Sequence, residues 1–207
     1  VLFAEGLRPD RILAPIDFAF LSPCYRRAAP EGWTAPENWM LFDQGMLFIP
    51  WRAMLGDALR EGRLPLWNPM TYCGTPFAAT MQAQVFYPPA WIGALLGPSW
   101  GFVFNAILRL WVAGFGLYWL ARHYGVGPSA ALVAAVAWML SGFNIVWLGF
   151  PLGDVVSWLP LLLLALDRAL LTDSPRTRRL NLVLAALATA MIWLAGHAET
   201  TLDCLIV

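Results

Sequence analysis

From Phe102 to about Ala121 the chain carries one charge, Arg109, in a run long enough to cross the roughly 30 Å hydrocarbon core of a bilayer. A backbone inside lipid must satisfy its own amides and carbonyls, and a helix does so within its own segment. Comparable runs follow at Ser129–Trp147, Val155–Leu171 and Leu180–Leu194, and a further one opens near Leu202. The expected fold class is therefore an all-α polytopic membrane protein. Its bundle occupies 101–207, with about four spans and the start of another. Composition agrees: 59% of the residues are apolar and only 13% charged, against about 25% charged in soluble domains. A soluble fold of this size has too little interior for so much apolar surface, so lipid must cover part of it.

All thirteen Lys-plus-Arg positions are arginine, and thirteen acidic residues balance them to a net charge of zero. No long basic stripe is available to neutralise phosphates, which argues against nucleic-acid binding. The cysteines, Cys24, Cys73 and Cys204, lack metal or redox spacing. The chain opens at Val1 rather than Met and stops at Val207 inside an apolar run, as expected of a piece of a longer protein. The opening VLF, residues 1–3, would be the end of a preceding transmembrane helix.

Residues 4–40 are punctuated by Pro9, Pro15, Pro23, Pro30 and Pro36, too closely for a long helix, and read as a loop anchored by Phe18, Phe20, Tyr25, Trp33 and Trp39. From Gln44 to Glu61 apolar residues recur at helical spacing opposite Arg52, Asp57, Arg60 and Glu61, which predicts an interfacial helix stopped by Gly62. Pro65, Asn68 and Pro69 then impose turns. The aromatic residues Trp67, Tyr72, Phe77, Phe86, Tyr87, Trp91 and Trp100 have the composition of an interface belt. Residues 90–97 are too few to span, so they read as a short reentrant piece or the start of a broken helix.

Arginine bias in the short loops sets the orientation. Arg122 and His123 mark one connection as cytoplasmic, and Arg176, Arg178 and Arg179, with Arg168 just before them, mark another. The connections at 150–154 and 196–203 lack arginine and face out, and by alternation so does the long stretch 4–100. Asp43, Asp154, His197 and Glu199 are then expected on one side of the membrane.

Each of these residues carries two readings. Asp43 is either a base or metal-holding carboxylate at the lipid–water boundary, or the cap of the helix that follows. Asp154, after Pro151 and Gly153, is either a second carboxylate converging on a metal or acceptor, or a helix N-cap. His197 and Glu199 either position a phosphate, metal or sugar hydroxyl, or are solvated surface; they do not form the HExxH zinc pattern. Arg109, costly inside a span, must snorkel or find a partner, whether a lipid phosphate, a carboxylate or a structural contact. Asn68 and Gln82 or Gln84 either hydrogen-bond a polar ligand such as a sugar, or hold loops together.

The run FDQGMLFIPWRAMLGDALREGRLPLWNPMTYCGTPFAATMQAQVFYPP resembles the N-terminal signature of YfhO-like bacterial membrane proteins, grouped with the GT-C superfamily of polytopic glycosyltransferases. The matching positions are Asp43, Pro50 with Trp51, Gly62 to Pro69, Gly74 to Pro76, and Gln84 with Tyr87 and Pro88. A weaker likeness lies at LAGHAET, similar to a Gly-His-x-Gln element, with Glu199 in place of the glutamine.

The resemblance implies a GT-C-like fold in the bacterial cytoplasmic (inner) membrane, with a long first extracytoplasmic loop containing interfacial helices. It implies transfer of a sugar from a polyprenyl-phosphate donor to an acceptor on the outer side, with help from a divalent cation, magnesium or manganese. Asp43 would be the base or metal-associated carboxylate and Asp154 the second acidic position. The partners implied are membrane lipids, the lipid-linked sugar and other proteins of a membrane complex. Two other functions compete: a non-catalytic accessory subunit of a larger membrane assembly, and a transporter for a lipid-linked substrate.

Overall fold

The computed structural model describes residues 3–8 and 11–206. The reading of 1–3 as the end of an earlier span thus falls largely outside the described residues. Every regular element among the described residues is helical, and the one extended pairing is an isolated antiparallel bridge, Asn68 to Thr75. Two compact units divide the chain. The first comprises Val1–Ala79 and Pro88–Asn105, the second Thr80–Tyr87 and Ala106–Val207. The two units interleave in sequence, since Thr80–Tyr87 lies between the two parts of the first.

In the first unit the proline-spaced stretch forms short 3-10 turns, at Asp17–Leu21, Arg26–Ala28 and Trp39–Leu41 among others. Phe18, 3% exposed, organises them: its ring meets Trp39 edge-on at 5.5 Å and Phe42 at 4.8 Å. Asp17 Oδ2 accepts a hydrogen bond from the Glu37 amide at 2.8 Å, closing the loop across twenty residues. The single helix expected from Gln44 is in fact two pieces. Gln44–Phe48 is a π-helical turn, and α1, Ile49–Arg60, continues from it, with Pro50, which has no amide hydrogen to donate, just past the point where the period changes.

Gly62 ends α1 with φ 71°; its amide bonds Leu59 O and the Arg63 amide bonds Ala58 O, the paired bonds of a Schellman cap. Against α1 lies α2, Pro88–Leu96. Gly56 permits the approach, since a Cβ there would stand 2.4 Å from Ala94 O, and Arg60 Nη2 caps the end of α2 at Leu95 O, 3.1 Å. The piece expected at 90–97 is thus a helix of its own, stopped by Gly97 at φ 85°.

The long helix α3, Pro98–His123, runs from the first unit into the second. Then come α4 (Pro128–Met139), α5 (Gly142–Val146), α6 (Pro151–Ser157), α7 (Leu159–Leu171), α8 (Pro175–Leu194) and α9 (Ala198–Ile206). α3 and α8 are long and apolar enough to cross a membrane. The run expected to span from Ser129 to Trp147 is broken at Leu140–Ser141, where Ser141 caps α5 through Asn144 N. The run from Val155 to Leu171 begins earlier, at Pro151, and is offset at Trp158. Pro160 explains the offset: it lacks the amide that would bond back to Val156. Within the second unit α7 and α8 form a close hairpin. Gly114 receives Met139 of α4 and Gly116 receives Pro160 and Leu161 of α7, small residues that let helices approach.

Candidate functional site

The polar centre of the second unit is built on Arg109. Its helix is apolar on most faces, and the side chain, 4% exposed, has no route to water; it must find its acceptors inside the protein. Nε donates to Asp154 Oδ1 at 2.9 Å, Nη2 to Phe150 O at 2.9 Å, and Nη1 to Trp147 O. Trp147 and Phe150 flank the turn between α5 and α6. The guanidinium therefore closes the carbonyl end of α5 while pairing with a carboxylate in the first turn of α6. Both placements suit the helix dipoles. Gly153 makes the room: a Cβ there would stand 2.5 Å from Arg109 Nη1.

Asp154, 5% exposed, has its second oxygen taken by Gln84. The amide Nε2 of Gln84 carries two hydrogens. One goes to Asp154 Oδ2 at 2.8 Å and the other to Ala195 O at 2.7 Å, at the end of α8. Gln84 adopts a left-handed backbone, φ 56°, after the 3-10 turn Met81–Ala83, and is 1% exposed. Gly196, φ 92°, lets the chain pass under that turn, since a Cβ there would lie 2.1 Å from Met81 O. Ser157 Oγ bonds Asp154 O at 2.7 Å, and Trp158 Nε1 donates to the Tyr87 hydroxyl at 2.9 Å. Arg109, Asp154 and Gln84, three residues singled out by sequence, are thus one connected group.

The other candidates lie elsewhere. His197 Nδ1 meets the Thr200 hydroxyl at 2.8 Å and the Thr200 amide at 3.3 Å, which places it as the cap of α9. Glu199 is exposed in the first turn of that helix. Asn68 belongs to the first unit and is 4% exposed. Its Oδ1 accepts from Met70 N at 2.9 Å and its Nδ2 donates to Thr71 Oγ1 at 3.0 Å, locking a turn in which Tyr72 and Cys73 both have positive φ. Asp43, also in the first unit, is exposed at the start of the π-helical turn and makes no capping hydrogen bond. A π-helical turn presents side chains out of register with the α-helix that follows, and such turns recur at functional sites.

A divalent cation does not fit at Asp154. Both oxygens already accept from protein donors, and a guanidinium 2.9 Å away would repel the ion. Among the described residues no three His, Cys, Asp or Glu side chains come together as a metal-holding group. Sequence reasoning missed three further features: the carbonyls of Trp147, Phe150 and Ala195, the Tyr87–Trp158 bond, and the pairing of His123 Nε2 with Asp167 Oδ2 at 2.8 Å. Gly153 and Gly196 were the available clues, as glycines beside polar residues near helix ends. No protein-family model, curated protein or solved structure matches the chain.

Proposed function

We propose that the chain is a multi-pass membrane glycosyltransferase of the GT-C type, resembling the YfhO-like proteins. On this reading it moves a sugar from a polyprenyl-phosphate donor to an acceptor outside the bacterial inner membrane. The observation that carries this reading is Asp43: an exposed carboxylate without a capping bond, at the head of a π-helical turn, inside the fifty-odd residues that bear the resemblance.

The chemistry asked of Asp43 is that of a general base. It accepts the proton of an acceptor hydroxyl as that oxygen attacks the anomeric carbon. The bond from that carbon to the phosphate oxygen breaks, and polyprenyl phosphate leaves with the electron pair. One carboxylate suffices for such a displacement with inversion, because none is needed as a covalent nucleophile. No step in this scheme passes through a metal ion. Asp43→Asn is expected to abolish transfer from a polyprenyl-phosphate sugar while leaving the helical circular dichroism and unfolding temperature unchanged. Undiminished transfer by that variant would remove Asp43 from the reaction.

A second reading, an accessory subunit without activity, is favoured by a different observation. The polar groups of Asn68, Gln84, Arg109 and Asp154 that bond are satisfied by the protein itself. Absence of transfer by the wild-type chain, with a stable membrane complex recovered around it, would decide for that reading.

A further inference from the structure

We infer that the groove between α7 and α8 is a binding site for an anionic phospholipid of the bilayer, with one acyl chain between the helices and the phosphate against Arg168. The groove encloses about 400 Å³ and is lined by Trp158, Leu161, Ala165, Leu184, Ala188 and Met191, with Arg168 and Asn181 at one end. Trp158, the cap residue of α7, and Leu161, Ala165 and Arg168 on that helix follow helical spacing along a single face, so the groove runs parallel to the helix from an indole to a guanidinium. That length, about 15 Å at 1.5 Å per residue, is an acyl-chain dimension.

The two ends differ in kind. Trp158 closes the first, its indole held in place by the hydrogen bond to Tyr87. At the second, Arg168 is exposed, and its neighbour Asp167 is engaged with His123 and does not neutralise it. The connection beyond carries one acid, Asp173, but the opening turns of α8 carry Arg176, Arg178 and Arg179, and its N-terminus, capped by Ser174, adds a positive dipole end. Positive charge at the mouth and apolar walls behind it match a phosphate on a hydrocarbon chain. A zwitterionic headgroup would bring its own cation to the same place. The outer surface of α8 is available to lipid, since only 22% of its apolar window is buried within the protein. The site does not depend on sugar transfer and lies in residues that the proposed reaction does not use.

The test uses the full chain reconstituted in vesicles containing phosphatidylglycerol or phosphatidylcholine brominated on the acyl chain, with tryptophan quenching as readout. The contribution of Trp158 is the difference between wild type and Trp158→Phe. Brominated phosphatidylglycerol is expected to quench Trp158 at a mole fraction about fivefold lower than phosphatidylcholine, the preference one favourably placed arginine provides. Arg168→Gln, at an exposed position, should remove the preference and keep the fold, and Ala188→Phe, which fills the groove without adding an indole, should exclude both lipids. Equal quenching by the two lipids, or a preference that survives Arg168→Gln, would overturn the assignment. So would displacement of the brominated lipid by equimolar polyprenyl phosphate. Asp43→Asn should leave the quenching unaltered, so failure of the transfer reading and failure of this one are separable.

Discussion

Arg109 donates to one carboxylate and two backbone carbonyls. Replacing it with Met would leave three acceptor atoms without their donor and the charge of Asp154 buried with only the Gln84 amide to offset it. The expected loss is about 3–5 kcal/mol, the cost of breaking one side of a buried pair. The double variant Arg109→Met, Asp154→Leu removes both charges and should lose less than the sum of its singles. Strict additivity in unfolding followed by tryptophan fluorescence would contradict the pairing.

Two glycines give a second comparison at this scale. Gly62 and Gly196 both have positive φ, but a Cβ at Gly62 meets nothing within 4 Å, whereas one at Gly196 strikes Met81 O at 2.1 Å. Gly62→Ala should cost about 1 kcal/mol of backbone strain, and Gly196→Ala that strain plus about 1–3 kcal/mol of displaced backbone. Comparable unfolding midpoints for the two variants would refute the close approach. That Arg109 needs a partner is legible from its burial in an apolar run. Which partner is not, because Asp154 stands 45 positions away and Gln84 reaches it across 70. Helical or strand periodicity says nothing about contacts at such separations.

At the scale of elements, the π-helical turn Gln44–Phe48 sets the direction of Asp43 relative to α1. Deleting Met46, which is 48% exposed, would let the turn relax into α-helical register and swing Asp43 by roughly 100°. Transfer should fall as far as in Asp43→Asn, with helical content retained. Full activity would show that the turn does not aim the carboxylate. The existence of α1, α3 and α8 was legible because each pattern is long and uninterrupted. The π turn was not, since it is only five residues long, too short for a change of period to show in an apolar pattern. The break at Leu140–Ser141 was hidden for a related reason: apolar residues continue on both sides, and hydropathy has no term for backbone direction. At Trp158 a signal existed in Pro160, but proline is tolerated in apolar helices and marks an offset only in context.

For the whole molecule, the proposed sidedness can be read with the native thiols. Cys24 and Cys73 are exposed in the first unit, and Cys204 is buried in α9. An impermeant maleimide added to intact spheroplasts is expected to label the two exposed cysteines and spare Cys204. Labelling that appears only after lysis would invert the orientation. The apolar composition predicted spanning helices, and two are long and apolar enough to cross a membrane, but the partition into units did not follow from it, because the composition changes near residue 100 while the contacts do not.

That partition limits how the molecule can be cut. The eight residues from Thr80 to Tyr87 belong with the helices that come later, yet sequence on both sides of them belongs to the first unit. A chimera spliced where hydropathy changes would carry Gln84 away with the donor half and strand its acceptors in the recipient. Any exchange of the first unit between related chains must therefore treat this short insert as property of the other half.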